Sequence, residues 1–197
     1  AIEGPFNAAN AAAAIAIVHA AGVQDHDPSL HAVESVHISG RMERFEASPN
    51  LIAYVDYAHN YASMRALIEF IEAKYGARHP RITLVTGSAG NKAVDRRQGI
   101  VLATQYSIDQ FVFTTEDTDS EPVTDICAQM AGFVTNKGVS TKIIIDRSEA
   151  IEYAFHNALE SSQSPEGRLN ILLLTGKGDE RWIKQHNQHV PYEGDSN

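Results

Sequence analysis

The stretch Leu51-Ile52-Ala53-Tyr54-Val55-Asp56-Tyr57-Ala58-His59-Asn60 decides the fold class. Its first half is a short apolar run with the composition of a strand, and it leads directly into a helix-like segment, Tyr61–Tyr75. Leu67, Ile68 and Ile71 mark the inner face of that helix. A strand apolar on both faces that feeds a helix is the unit of a parallel sheet covered on two sides. An acid, an imidazole and an amide therefore stand at the carboxyl end of a parallel strand, the edge where open α/β sheets bind ligands. Asp56 suits a pair of hydroxyls, as on a ribose, and His59 suits a phosphate. Together they suggest a nucleotide.

Outward from this stretch the same unit repeats. Strands are expected at Arg81–Thr86, Gln110–Thr115, Thr141–Asp146 and Leu169–Thr175, each short and rich in Ile, Val and Leu. Helices are expected at Asp95–Tyr106, at Pro122–Thr135 and at Ser148–Leu159, with Ser148 as the cap of the last. The architecture is a three-layer α/β, Rossmann-like domain with a mostly parallel sheet from about Ser39 onward. Before it, Asn7–Ala21 reads as an alanine-rich helix capped by Asn7 and stopped by Gly22, with a polar turn around His26-Asp27-Pro28. Gly40-Arg41-Met42-Glu43-Arg44-Phe45 opens the new unit, and Gln185–Asn197 reads as a polar, partly mobile end. The chain starts on Ala1 and directly on a helix signal, so it is read as a piece of a longer protein.

Composition narrows the partners. The 197 residues carry a net charge of −9, which speaks against a nucleic-acid surface but not against a nucleotide held by a few local cations. The one cysteine, Cys127, allows no intrachain disulfide and fits a reducing compartment. No apolar run reaches membrane-spanning length, and no signal-peptide pattern opens the chain.

If the strands are parallel, five loops meet at one sheet edge: Asp56–Asn60, Thr86–Lys92, Thr115–Glu121, Asp146–Ser148 and Thr175–Glu180. Gly87-Ser88-Ala89-Gly90-Asn91-Lys92 lacks the spacing and the Lys-Ser/Thr ending of a Walker A loop and, taken alone, reads as an ordinary strand-to-helix turn. Glu116, Asp117, Asp119 and Glu121 suit a metal or an amino group. Equally, they suit the start of the next helix, whose dipole certainly accounts for Glu121. Lys177, between Gly176 and Gly178 and ahead of Asp179 and Glu180, suits a phosphate or carboxylate, but by itself reads as a mobile surface turn. His186 and His189 lack a convincing helix and a third ligand, so they read as exposed histidines.

Four motifs taken in order resemble the Mur ligase superfamily of ATP-dependent amide-forming enzymes, over nearly the whole chain. Gly4-Pro5-Phe6-Asn7-Ala8-Ala9-Asn10 resembles the end of its central ATPase domain, and Gly40-Arg41-Met42-Glu43 the entry to its C-terminal domain. Asp56-Tyr57-Ala58-His59 resembles its strand-end motif. Gly176-Lys177-Gly178 with Glu180 resembles the substrate loop of the branch that adds the third peptide residue, the UDP-N-acetylmuramyl tripeptide synthetases. The resemblance implies that residues 1–38 end the central domain and that 39–197 form the amino-acid-binding domain. It implies ATP contacts at Asn10 (adenine), Arg41 (ribose and phosphates), Asp56 (ribose hydroxyls) and His59 (phosphates). It implies amino-acid contacts at Lys92, Glu116, Asp117, Gly176 and Glu180. The implied reaction is phosphorylation of a carboxylate of UDP-MurNAc-L-Ala-D-Glu, then displacement of phosphate by an amino acid's amine. ATP and Mg²⁺ are required, with the Mg²⁺ ligands and the phosphate loop mostly outside this chain and no metal site within it. A cytoplasmic monomer, inactive and weak in ATP binding as an isolated piece, is expected.

Two departures bear on the amino acid. Branch members that add meso-diaminopimelate carry Asp-Asn-Pro-Arg, whose arginine grips the far carboxylate. Here Glu116-Asp117-Thr118-Asp119-Ser120 has no arginine and extra acid. Lys92 stands where an arginine is usual for the α-carboxylate. Such a pocket suits L-lysine or a similar diamine such as ornithine. Asp56-Tyr57-Ala58-His59-Asn60 equally matches the folate- and cyanophycin-type synthetases of the superfamily. A non-catalytic nucleotide- or partner-binding module is a further alternative. No Gly-x-Gly-x-x-Gly follows the first strand, which speaks against a dinucleotide oxidoreductase.

Overall fold

The computed structural model describes residues 3–164 and 167–197. Helix α1 (Pro5–Ala20) comes first, then a 3₁₀ segment at Pro28–Glu34. Strands β1 (Glu43–Ser48) and β2 (Leu51–Asp56), helix α2 (Tyr61–Tyr75), strand β3 (Arg81–Thr86) and helix α3 (Asp95–Thr104) follow. Next are strand β4 (Gln110–Phe113), helix α4 (Val123–Gly132), strand β5 (Ser140–Ile143), helix α5 (Arg147–Ser162) and strand β6 (Asn170–Thr175). Strands β7 (Trp182–Gln185) and β8 (Gln188–Pro191) close the order. The main sheet runs β1-β2-β6-β3-β4-β5. The five strands from β2 to β5 in that order are parallel, and β1 lies antiparallel on β2. The expected α/β class is observed, and the five loops do share one edge. Among the described residues, no helix is long and apolar enough to cross a membrane.

The strand alternation sorts side chains into two cores of different thickness. Ile52, Tyr54, Ile82, Leu84, Phe111, Phe113, Ile171 and Leu173 face the side covered by α2, α3 and α4, where Met64, Leu67, Ile68, Ile71 and Val101 meet them. Val55, Val85, Val112, Leu172 and Leu174 face α5, which presents Ala150 and Ala154. Small residues four apart let α5 lie close on a face of short valines, whereas the three-helix side needs large rings to fill it. Each fully buried Val, Leu, Ile or Phe contributes about 1.5–3 kcal/mol.

Several expectations are corrected. β1 was unforeseen: its residues are almost all solvent-exposed, so no period-two signal marks it. β5 is an exposed edge that ends at Ile143, three residues short of Asp146, so it is not covered on both faces. Helix α1 is capped at Gly4 with Pro5 at its first position, and Asn7 instead donates to the Glu3 carbonyl at 2.6 Å. Proline's fixed φ favours that start. Helix α5 is capped by Asp146, whose carboxylate accepts from the Glu149 N–H at 3.0 Å, while Ser148 donates to Glu193 at 2.8 Å. The end of the chain is built rather than loose. β7 and β8 form a hairpin around His186-Asn187, both with positive φ as a two-residue turn of this kind requires. Beyond it Asp195 forms a buried pair with Arg147, at 2.7 and 2.6 Å.

Candidate functional site

The turn Ser39–Met42 folds against the end of β2 because Asp56 holds it there. The Asp56 carboxylate accepts from the Met42 N–H and from the Ala58 N–H, both at 2.9 Å. Met42 sits at φ 49, a conformation that needs such an anchor. Burial pushes the Asp56 carboxyl upward, against the pull of the two N–H donors and of Arg41 and His59. Arg41 extends over the Tyr57 ring, 4.6 Å from its centre. The His59 ring meets the same tyrosine edge-on at 5.1 Å. His59 Nδ1 lies 2.8 Å from the Tyr57 carbonyl. A carbonyl only accepts, so Nδ1 carries the hydrogen and Nε2 is left for a ligand.

These side chains line a cavity of about 530 Å³ between α1, the Ser39–Met42 turn and the start of α2. Asn10, Arg41, Asp56 and His59 all line it, together with Phe6, Asn7 and Asn60. Asn60 caps α2 through a reciprocal pair with Ser63. The helix's positive end therefore faces the cavity and favours an anion.

The second cluster lies along the same edge. Lys177 is wholly buried, correcting the reading of its loop as a mobile surface turn. Its ammonium donates to Asp117 at 2.8 Å and to Glu180 at 2.5 Å, and it lies 4.3 Å from the centre of the Trp182 ring. The carboxylates that pair with it come from loops 60 residues apart in sequence or from three residues on. Burial is affordable only because both charges meet it. Glu116 stands beside them, with Oε2 buried and unpartnered. Burial lifts its carboxyl to about 7, helped by Asp117 and Glu180 and opposed by Arg147 and Lys177. A Cβ at Gly176 would stand 2.7 Å from that Oε2 and displace it, and φ +104 strains any side chain there.

The expected amino-acid residues thus divide. Glu116, Asp117, Gly176 and Glu180 come together. Lys92 stands apart, exposed, and makes no hydrogen bond or ion pair among the described residues. Its loop is nonetheless tied to the acidic loop, since the Gly90 N–H donates to the Asp117 carbonyl at 2.9 Å. Arg97, buried under that loop, grips Glu121 at 2.7 and 2.6 Å and the Ala89 carbonyl at 3.2 Å. Glu121 is therefore an arginine partner, which holds its carboxyl low, rather than simply a helix-dipole acid. Asp119, in the acidic loop, staples the β7–β8 hairpin. Its backbone bonds to Lys184 and His186, and its carboxylate accepts from the Asn187 N–H at 3.0 Å.

Sequence reading missed three members. Tyr57 joins the two clusters, donating its hydroxyl to Glu180 at 3.3 Å; its only signal was a ring inside the strand-end motif. Trp182 covers Lys177 and stacks on His189 at 3.9 Å. Arg147 donates to the Thr115 and Thr175 carbonyls at 3.2 and 2.9 Å, locking two site loops together. Nothing local marks either residue.

A mostly parallel α/β domain with a cavity and a charged cluster along one strand edge is a Rossmann-like module. The family model described as "Mur ligase, glutamate ligase domain" matches residues 40–178, and the chain belongs to the Mur ligase family. It is similar to the UDP-N-acetylmuramyl-tripeptide synthetase of Bifidobacterium longum, 56% identical over 98% of this chain and 37% of that protein. The enzyme of the same name from Ligilactobacillus salivarius is 33% identical over 100% of this chain and 36% of its own length. The chain thus spans little more than a third of these curated relatives. A solved structure of UDP-N-acetylmuramoyl-L-alanyl-D-glutamate–2,6-diaminopimelate ligase shares the fold with a TM-score of 0.65, at 22% identity over 98% of this chain and 37% of that one. Mycobacterium tuberculosis folylpolyglutamate synthase complexed with ADP and AMPPCP shares it with a TM-score of 0.69, at 23% identity over 89% and 38%.

Proposed function

We propose that this chain is the amino-acid-binding, nucleotide-closing part of an ATP-dependent ligase that adds an amino acid, L-lysine or a similar diamine, to UDP-MurNAc-L-Ala-D-Glu. The observation that carries the reading is the meeting of Asn10, Arg41, Asp56 and His59 on one cavity, with Glu116, Asp117, Gly176 and Glu180 gathered along the same edge. The names of the relatives support the substrate class. Residues 1–38 are assigned to the central ATPase domain and 39–197 to the C-terminal one. The exposure of α1, including Ile17 at 70%, supports an occupant from elsewhere in the longer enzyme.

In this role Asn10 contacts the adenine, Asp56 the ribose hydroxyls, and Arg41 and His59 the phosphates. The cavity's size and its mix of cation, helix N-terminus and amide donors fit a nucleoside phosphate. Mg²⁺ is assigned mostly to residues of the longer enzyme outside this chain. An acyl phosphate on the dipeptide's carboxylate is the electrophile; these residues orient the nucleotide and the amine that displaces phosphate. Lys92, exposed on the neighbouring loop, is assigned to the α-carboxylate.

The diamine rests on charge. Three carboxyl groups face one lysine, and the loop Glu116-Asp117-Thr118-Asp119-Ser120 carries no arginine. The test is ligation by the full-length enzyme with ATP, Mg²⁺ and UDP-MurNAc-L-Ala-D-Glu, comparing L-lysine, L-ornithine and meso-diaminopimelate. A higher kcat/KM for lysine or ornithine is expected; preference for diaminopimelate overturns the diamine, and no ligation of any of them overturns the reaction.

A further inference from the structure

We propose that Tyr57 is a positioning residue that holds Glu180, and through it the amino-acid cluster, in register with the nucleotide cavity. The inference rests on the assignment of the two sites above and adds the element that joins them.

Tyr57 touches both. Its ring lies under the Arg41 guanidinium at 4.6 Å and against the His59 imidazole at 5.1 Å, and both of those groups line the cavity. Its hydroxyl donates to Glu180 Oε1 at 3.3 Å. The other oxygen of the same carboxylate accepts from Lys177, which also holds Asp117. A continuous line of contacts therefore runs from Arg41 through Tyr57 and Glu180 to Lys177 and Asp117. Burial and the neighbouring carboxylates raise the phenol's pKa, so the hydroxyl stays a donor.

The backbone is built to keep this line short. Gly40, beside Arg41, packs so closely on Gly178 and Asp179 that any side chain at 40 would meet their backbone atoms. A Cβ at Gly178 would stand 3.0 Å from the Gly40 carbonyl and 3.1 Å from the Tyr57 ring. Gly40 and Gly178 both have positive φ, at 66 and 57. The turn that carries Arg41 and the loop that carries Lys177 and Glu180 thus lie backbone against backbone, with the tyrosine ring wedged beside them. Asp56 pins the first of these through Met42. A shift of Arg41 on a nucleotide would reach Glu180 through the Tyr57 ring and its hydroxyl.

The experiment is steady-state kinetics of the full-length enzyme, wild type, Tyr57→Phe and Tyr57→Leu, with ATP, UDP-MurNAc-L-Ala-D-Glu and L-lysine, ornithine or diaminopimelate, whichever the wild type ligates best. Tyr57→Phe keeps the ring and loses the bond to Glu180, so KM for the amino acid rises about five- to tenfold while KM for ATP changes less than about twofold. Tyr57→Leu removes the ring as well, and both KM values rise. Equal KM values for Tyr57→Phe and wild type overturn the proposal while leaving the ligase reading intact. An equal rise of both KM values in Tyr57→Phe, or a fall in kcat and in thermal midpoint with KM unmoved, also overturns it, since that marks a merely structural ring. Loss of folding in Tyr57→Phe counts against it for the same reason. Absence of ligation by the wild type overturns the functional reading instead.

Discussion

The two clusters along the sheet edge are built on opposite electrostatic plans. In the cavity lined by Arg41, Asp56 and His59 the polar groups are held without ion pairs among the described residues. Arg41 rests on an aromatic ring, His59 is oriented by a carbonyl, and Asp56 accepts from backbone N–H groups. In the acidic cluster the charges satisfy one another: Lys177 is shared by Asp117 and Glu180, and only Glu116 keeps a buried oxygen without a partner. The first plan leaves charge available to a strongly ionic ligand. The second makes a nearly self-contained cluster in which a buried lysine is met by carboxylates from two loops. It also means that the two sites fail differently, the acidic cluster through stability and the cavity through affinity.

The harshest break of this contrast is Lys177→Met. It leaves Asp117 and Glu180 beside Glu116 with their buried counter-charge gone. Stability to urea is expected to fall by about 3 kcal/mol. Nucleotide affinity, set on the other side of Tyr57, changes little at temperatures where the protein stays folded. Adding Asp117→Asn recovers part of the loss. An unchanged urea midpoint for Lys177→Met would show that the cluster is not internally neutralised.

This buried lysine also marks where sequence reading stops. β2, α2 and β3 were legible to the residue, because Leu51–Asp56, Tyr61–Tyr75 and Arg81–Thr86 carry unbroken apolar runs or a clean helical stripe. The motifs at the strand ends located both clusters because a parallel sheet forces those loops to one edge. What escaped depended on partners far along the chain. Lys177 between two glycines looks like a loose turn until Asp117 arrives from another loop. The hairpin of β7 and β8 is held by Asp119, and its His186-Asn187 turn lacks the Gly that usually signals one. Arg147 reads as one residue of the loop Asp146–Ser148, with no assigned role, until Asp195 reaches it.

Glu116 sharpens the comparison through pH. Its carboxyl lies at about 7 in the folded chain against an ordinary 4.5. Between those values the folded state holds a proton that the unfolded state has released. The stabilisation is fully present below about pH 4.5 and is lost as pH rises through about 7. The range is on the order of 3 kcal/mol. Asp56, raised in the same direction, adds to the slope, while Glu3, Glu43 and Glu121, held low, act only on the acid side. Glu116→Gln, neutral throughout, should flatten the decline in urea stability between about pH 5 and pH 8. A variant that keeps the wild-type slope would place the titration elsewhere.

Arg41→Ala tests the other plan and has the smallest effect on folding. Arg41 contributes its ring contact with Tyr57 and forms no ion pair among the described residues, so its loss should cost less than about 1 kcal/mol of stability. In the full-length enzyme, however, it removes an unneutralised cation from the wall of the cavity. KM for ATP is expected to rise about tenfold or more, as for a lost hydrogen bond to a charged phosphate. Arg41→Lys keeps the charge but not the flat stacking on Tyr57, so it should recover only part of that loss. Equal ATP affinity in Arg41→Ala and wild type would remove the distinction between the clusters, because the cavity would then hold its ligand without the one cation that its architecture leaves free to do so.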